Sequence, residues 1–218
     1  MPMNEMSALI GLAVSPIPAA PASRKRSTRA VAKSIIPVWS RAEDFDRLGA
    51  AYEFIHAKGG KVFTLRLSRD ALIQVTGSAD PVRTMTRRLQ RAFARAGIPM
   101  PPIAFSVEVT PDERNQLHLH GALVLGGLLP SDVKRVLREA AGFIEGRAGS
   151  RQVKLTNFDL ASGGPVGWAY YSKRGAARTR REVGQRRVTY ISSDIRRVVS
   201  VDWDICRGQL LGRPRRLH

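Results

Sequence analysis

Residues 114–125 read RNQLHLHGALVL, and from Leu117 onward apolar and polar positions alternate. A period of two marks a half-buried strand, so Leu117, Leu119 and Leu123 line one face while His118 and His120 line the other. Just upstream, PIAFSVEVT (102–110) alternates in the same way, with Phe105, Val107 and Val109 opposing Ser106, Glu108 and Thr110. The polar run PDERNQ between the two segments reads as a turn, which makes them a hairpin. Both apolar sides must share the core, so Glu108 falls on the histidine face.

Outward from the hairpin the pattern extends in both directions. KVFTLRLS (61–68) alternates Phe63, Leu65 and Leu67 against Thr64, Arg66 and Ser68. DPVRTMTRRLQRAFARAG (80–97) predicts a helix with Asp80 as N-cap, Pro81 at its first position, Val82, Met85, Leu89 and Phe93 inward, and Gly97 at its end. PSDVKRVLREAAGFI (130–144) predicts a second helix and RQVKLTNF (151–158) a shorter strand. SRAEDFDRLGAAYEFIHAKGG (40–60) predicts a leading helix, with Ser40 as N-cap and Tyr52 in the core. Setting that helix aside, the order is strand, helix, strand, strand, helix, strand. The expected class is α+β, a ferredoxin-like βαββαβ antiparallel sheet with its helices on one face. In that topology the first and third strands are central and the second lies at an edge beside the third. The opposite face is expected to be open to solvent and polar, presenting Thr64, Arg66, Ser68, Glu108, His118 and His120.

The 218 residues carry 36 Lys and Arg against 18 Asp and Glu, a formal net charge of +18. Such an excess repels itself without an anionic partner, and nucleic acid is the usual one. No continuous apolar span or basic amphipathic helix points to a membrane. The single cysteine, Cys206, excludes an internal disulfide or multi-cysteine zinc site and reads as structural. The N-terminal SALIGLAVSPIPAAPAS lacks the basic start of a signal peptide, so a cytoplasmic, DNA-associated protein is expected. The expected organisation is a disordered basic tail at 1–38, a folded domain at 39–175 and an arginine-rich extension of unassigned fold at 176–218.

Two imidazoles and a carboxylate on one face suit a divalent cation, Mn2+ or Mg2+, with zinc harder to exclude. The competing reading is an exposed or hydrogen-bonded histidine pair. Downstream, ASGGPVGWAYYSKRGAARTRR (161–181) predicts a short helix on which Tyr170 and Lys173 share one face and Trp168 and Tyr171 another. With the second pair as anchor, Tyr170 is expected to face the site, Lys173 beside it; Tyr171 remains an alternative nucleophile. A phenol gains from a neighbouring cation and a polarised phosphate. The competing reading is that both tyrosines pack and Lys173 is solvated.

LHLHGAL resembles the His-hydrophobic-His core of the HUH endonucleases, and YYSK resembles the Tyr-x-x-Lys motif of their rolling-circle replication initiators. VFTLRLS is similar to the first motif of those initiators, so the likeness spans about residues 61–175. The resemblance implies a ferredoxin-like fold, His118, His120 and Glu108 as metal ligands, Tyr170 as nucleophile and Lys173 as its helper. It also implies nicking and joining of single-stranded DNA through a 5′-phosphotyrosine, in rolling-circle replication of a plasmid or phage. The tyrosine follows the histidines, unlike in relaxases of this superfamily, and the lysine three residues on favours initiators over single-tyrosine transposases. The nearest partners would be single-stranded DNA or an origin hairpin, with unwinding and synthesis by a host helicase and polymerase, since no P-loop is present. Thr64, Arg66, Ser68, Arg174, Arg178, Arg180 and Arg181 are candidate DNA-binding residues. The arginine-rich extension reads equally as a specificity element or a solubilising tail. A non-catalytic nucleic-acid binder stands beside the enzyme, although the expected face lacks the aromatic pair of RNA-recognition modules.

Overall fold

The computed structural model describes residues 36–110 and 117–211. The expected tail over 1–35, the hairpin turn at 111–116 and the last basic segment at 212–218 lie outside the described residues. Five strands form one open antiparallel sheet: β1 (Lys61–Arg66), β2 (Ile103–Val109), β3 (Leu117–Leu123), β4 (Val153–Thr156) and β5 (Thr189–Ile191). They lie in the order β4-β1-β3-β2-β5. β1 and β3 are central and β2 lies beside β3, as the alternation implies. β2 is not an edge, however, because β5 pairs with it from within the segment whose fold was unassigned.

The helices are α1 (Asp44–Ala57), α2 (Arg69–Thr76), α3 (Pro81–Arg95), α4 (Pro130–Ala141), α5 (Gly146–Ser150), α6 (Gly164–Lys173), α7 (Ala176–Glu182) and α8 (Ser193–Leu210). On one face of the sheet, α3 and α4 bury Val82, Met85, Leu89, Phe93, Val133, Val136 and Leu137 against Phe63, Leu65, Phe105, Val107, Leu119 and Leu123. Asp80 caps α3 by accepting from the Arg83 N–H at 2.8 Å, as its position before Pro81 predicts. Gly121 makes this packing possible, since a Cβ there would run into the Phe63 ring and the Ala104 carbonyl.

The other face is where expectation and structure part. α1 buries Leu48, Ala51, Tyr52 and Ile55 completely, at the spacing of one helical stripe. That stripe needs a partner, and it packs with α6 over the polar face of the sheet. Helices therefore lie on both faces rather than one, and the face expected to be open is largely covered. Ser40 does not cap α1: Trp39–Arg41 is a short 3-10 turn and Glu43 is the N-cap residue, without a side-chain cap.

The chain divides into two compact units, one of them Glu43–Val199. In the other, formed by residues up to Ala42 with those from Ser200 onward, Trp39 and Trp203 pack edge to face at 5.9 Å. There the Trp203 indole donates to the Pro37 carbonyl at 2.9 Å, and the Trp39 N–H to Asp204 at 3.0 Å. Burial pushes the Cys206 thiol up, away from thiolate chemistry, in keeping with a structural role. Among the described residues no helix is long and apolar enough to cross a membrane.

Candidate active site

The sheet register sets out the site in two cross-strand rows. Glu108 pairs with His118, and His118 with Arg66. One pleat further, Ser106 pairs with His120, His120 with Thr64, and Thr64 with Lys154 of the edge strand β4. Alternation thus assigned Thr64, Arg66, Glu108, His118 and His120 correctly to one face. It assigned their environment incorrectly, because His118 and His120 are only 8% and 5% exposed beneath α1 and α6. Lys154, exposed on the same face, was missed; the alternation of Val153, Lys154 and Leu155 held the signal, but only the β1–β4 register brings Lys154 beside Thr64.

His120 is the centre of the arrangement. Its Nε2 is 2.8 Å from Glu108 Oε2, and its Nδ1 is 3.4 Å from Thr64 Oγ1. The hydroxyl can donate to Nδ1 or accept from it, so Thr64 accommodates either tautomer of the ring. The His120 carbonyl accepts the Tyr52 hydroxyl at 3.2 Å and the Ser106 hydroxyl at 3.4 Å. Tyr52 is in the core as expected, and burial pushes its hydroxyl far above the ordinary phenol range. Such a group is a strut for the strand, not a nucleophile.

α6 brings aromatic rings to this imidazole. Trp168 and Tyr171 stack at 5.5 Å with 10° between their planes, and each stands edge to face with His120, at 5.6 and 5.2 Å. The Trp168 indole donates to the Gly121 carbonyl at 3.2 Å, which fixes the helix against β3. Tyr170 is 70% exposed, while Tyr171 keeps 46% of its surface exposed and still reaches His120. The aromatic pair expected to anchor the helix does so, but it also occupies the place expected for Tyr170. Lys173 joins Glu43 at 2.8 Å. The hydrogen bond and charge of Lys173 hold the Glu43 carboxyl below its usual range, and Glu43 raises Lys173 in turn.

Past α6 the backbone comes close to the acid. A Cβ at Gly175 would fall 2.7 Å from Glu108 Cγ and 2.8 Å from its Cδ, so only glycine leaves the carboxylate in place. The remaining candidates divide. Arg66 is exposed beside His118, and Arg174, Arg178 and Arg181 are exposed around α7. Arg180 is engaged within the protein, 3.7 Å from Asp44, over the Phe45 ring and donating to the Arg186 carbonyl. Ser68 is not on the site face: β1 ends at Arg66, and the Ser68 hydroxyl caps α2 by accepting from Ala71 N–H.

The donor set was tested for a divalent cation. Two ligands of one ion, each about 2.1 Å from it and at right angles, lie about 3 Å apart, which the His120–Glu108 separation matches. His118 stands off, its ring centre 6.4 Å from that of His120. Among the described residues no three His, Cys, Asp or Glu side chains are gathered as a metal group.

Together these features define an α+β protein with an open antiparallel sheet whose histidine strand meets an acid on one side and a stacked Trp–Tyr pair on the other. No protein-family model, curated protein or solved structure matches the chain.

Proposed function

We propose that this is a metal-dependent endonuclease of the HUH kind, which nicks and rejoins single-stranded DNA through a tyrosyl phosphodiester, with Tyr171 as the nucleophile. The observation that carries the reading is the convergence of Tyr171 and Glu108 on His120. The strand order β4-β1-β3-β2 with α3 and α4 on one face supports a ferredoxin-like core extended by β5.

In this reading the Tyr171 oxygen bonds to the scissile phosphorus, the bond to the 3′ oxygen breaks, and that oxygen takes up a proton while the phenol gives one up. One phosphodiester replaces another, so attack by a 3′-hydroxyl reverses the step. Glu108 and His120, with His118 as third donor, would hold Mn2+ or Mg2+, which when bound supplies polarisation of the phosphate. Thr64 sets the His120 ring, and Arg66 and Lys154 offer cations at the rim for the DNA backbone. The order of histidines and then tyrosine, with Lys173 following, fits a rolling-circle initiator acting on an origin hairpin and passing its 3′-hydroxyl to a host polymerase. Strand transfer between paired ends would instead mark a transposase.

The test is incubation with labelled single-stranded DNA libraries and Mn2+, followed by a denaturing gel. Tyr171→Phe is expected to abolish a protease-sensitive adduct, His120→Ala to reduce it about 100-fold or more, and Tyr170→Phe to leave it. Loss with Tyr170→Phe alone would return the nucleophile to Tyr170. One observation favours a second reading, a non-catalytic nucleic-acid binder: Glu108 and His120 already satisfy each other. Tight binding without any adduct would select it.

A further inference from the structure

The face of the sheet remote from His120 carries a second concentration of charge. α3 contains five arginines and no acidic residue. Arg95 is tied to Glu139 at 2.6 Å, and Arg88 to the Ala140 carbonyl and Gln74 at 2.7 Å each. Arg83, Arg87 and Arg91 remain, all exposed and one turn apart, and no acidic side chain among the described residues pairs with their guanidinium groups. Like charges at i and i+4 disfavour a helix, and this stripe sets 83 against 87, 87 against 91 and 91 against 95. A glutamate at either inner position would have made a favourable pair with the arginine four residues on. Burial, then repulsion from Arg95 and Arg91, lowers the hold of Arg88 on its own proton.

We infer that the Arg83–Arg87–Arg91 stripe is a second nucleic-acid site that grips the phosphate backbone of duplex DNA, on the side of the sheet away from the nicking site. From Arg83 to Arg91 the helix rises about 12 Å, over which one strand of a duplex presents three to four phosphates. Guanidinium groups suit phosphate oxygens, and nothing in the stripe offers base-specific readout. The side chains that would read a base edge, Asn or Gln, are absent from the row itself. A protein with this stripe can hold duplex while a single strand occupies the opposite face.

The experiment measures binding of a short labelled duplex by the whole protein, with chelator present so that divalent metal does not contribute. The Arg83→Gln/Arg87→Gln/Arg91→Gln variant is expected to make the slope of log affinity against log salt shallower by about 2.7, or about 0.9 per phosphate released. A glutamate triple should do at least as much, while the scattered control Lys58→Gln/Arg69→Gln/Arg147→Gln should leave the slope near wild type. An unchanged slope in both triples overturns the proposal. So does unchanged duplex binding alongside lost binding to vesicles of anionic lipid, which would assign the stripe to a membrane. The stripe stands apart from the nicking site: a wild-type protein that forms no adduct counts against nicking, whereas the salt slope reads the stripe alone.

Discussion

His120 shows how much of the site a strand pattern can carry. Parity alone brings Glu108, His118 and His120 to one face, because a hairpin with a shared core leaves no freedom in that assignment. The identity of the facing tyrosine was not legible in the same way. Helical spacing pairs Tyr170 with Lys173 and Tyr171 with Trp168, but it does not say which pair turns inward, and the pair with the larger ring surface won the sheet. Gly175 was equally hidden, since it read as the end of a helix. Its φ of −87° is ordinary for any residue, so the requirement for glycine is the space taken by Glu108 and not the backbone. Gly175→Ala is therefore expected to leave stability within about 1 kcal/mol, because a carboxylate at the end of a flexible side chain can swing away. The displaced Glu108 should weaken Mn2+ binding about tenfold or more and lower adduct yield with it. Calorimetric titration beside a thermal melt checks both; a wild-type Mn2+ affinity would show that Glu108 is no ligand.

The elements that were legible are those with strong periodicity and clear ends. β1, β2, β3 and α3 announce themselves through alternation or through Asp80, Pro81 and Gly97. α2 was missed because eight residues give barely two turns and Ile73 points outward, although Ser68 was an available cap signal. α6 depends on a link that sequence spacing could not show, the ion pair from its last turn to the N-terminus of α1. Lys173 near a helix C-terminus and Glu43 at an N-terminus also complement the two helix dipoles. Glu43 is lowered below its ordinary 4.5, so its contribution is fully present above that pH and is lost as pH falls through the lower folded value. Lys173 is raised above its ordinary 10.5, so on the alkaline side the contribution lasts until pH climbs past that raised value. Both groups are largely exposed, so solvent screening keeps the pair to at most about 1 kcal/mol. Urea melts of wild type and Glu43→Gln should differ by a few tenths to about 1 kcal/mol at pH 7 and coincide near pH 3. A gap that persists at low pH would mean that the substitution acts through something other than the Lys173 pair.

At the scale of the whole molecule, the limit of sequence reading was the segment after Gly175. Its arginines suggested a solvated extension, and a three-residue strand is too short to show alternation. Yet β5 continues the sheet from β2, with Val107 N–H donating to Val188 O at 2.8 Å, and Tyr190 lies 5.2 Å from Phe105. α7 completes the same edge, where the Thr179 hydroxyl accepts the buried Val109 N–H at 2.9 Å. Removing everything after Gly175 would strip that edge and leave a row of unpaired backbone groups beside Phe105 and Val107, a template for intermolecular pairing. Each buried N–H left without a partner costs about 1–3 kcal/mol, and the lost aromatic contact about 0.5–1.5. Against a total stability of about 5–15 kcal/mol such losses are large. A chain ending at Gly175 is therefore expected to aggregate or to melt without a cooperative transition, whereas one ending at Val199, where the compact unit closes, should melt cooperatively. If the shorter chain instead melts as sharply and as high as the whole protein, β5 and α7 are dispensable coverings and the sheet is complete with four strands.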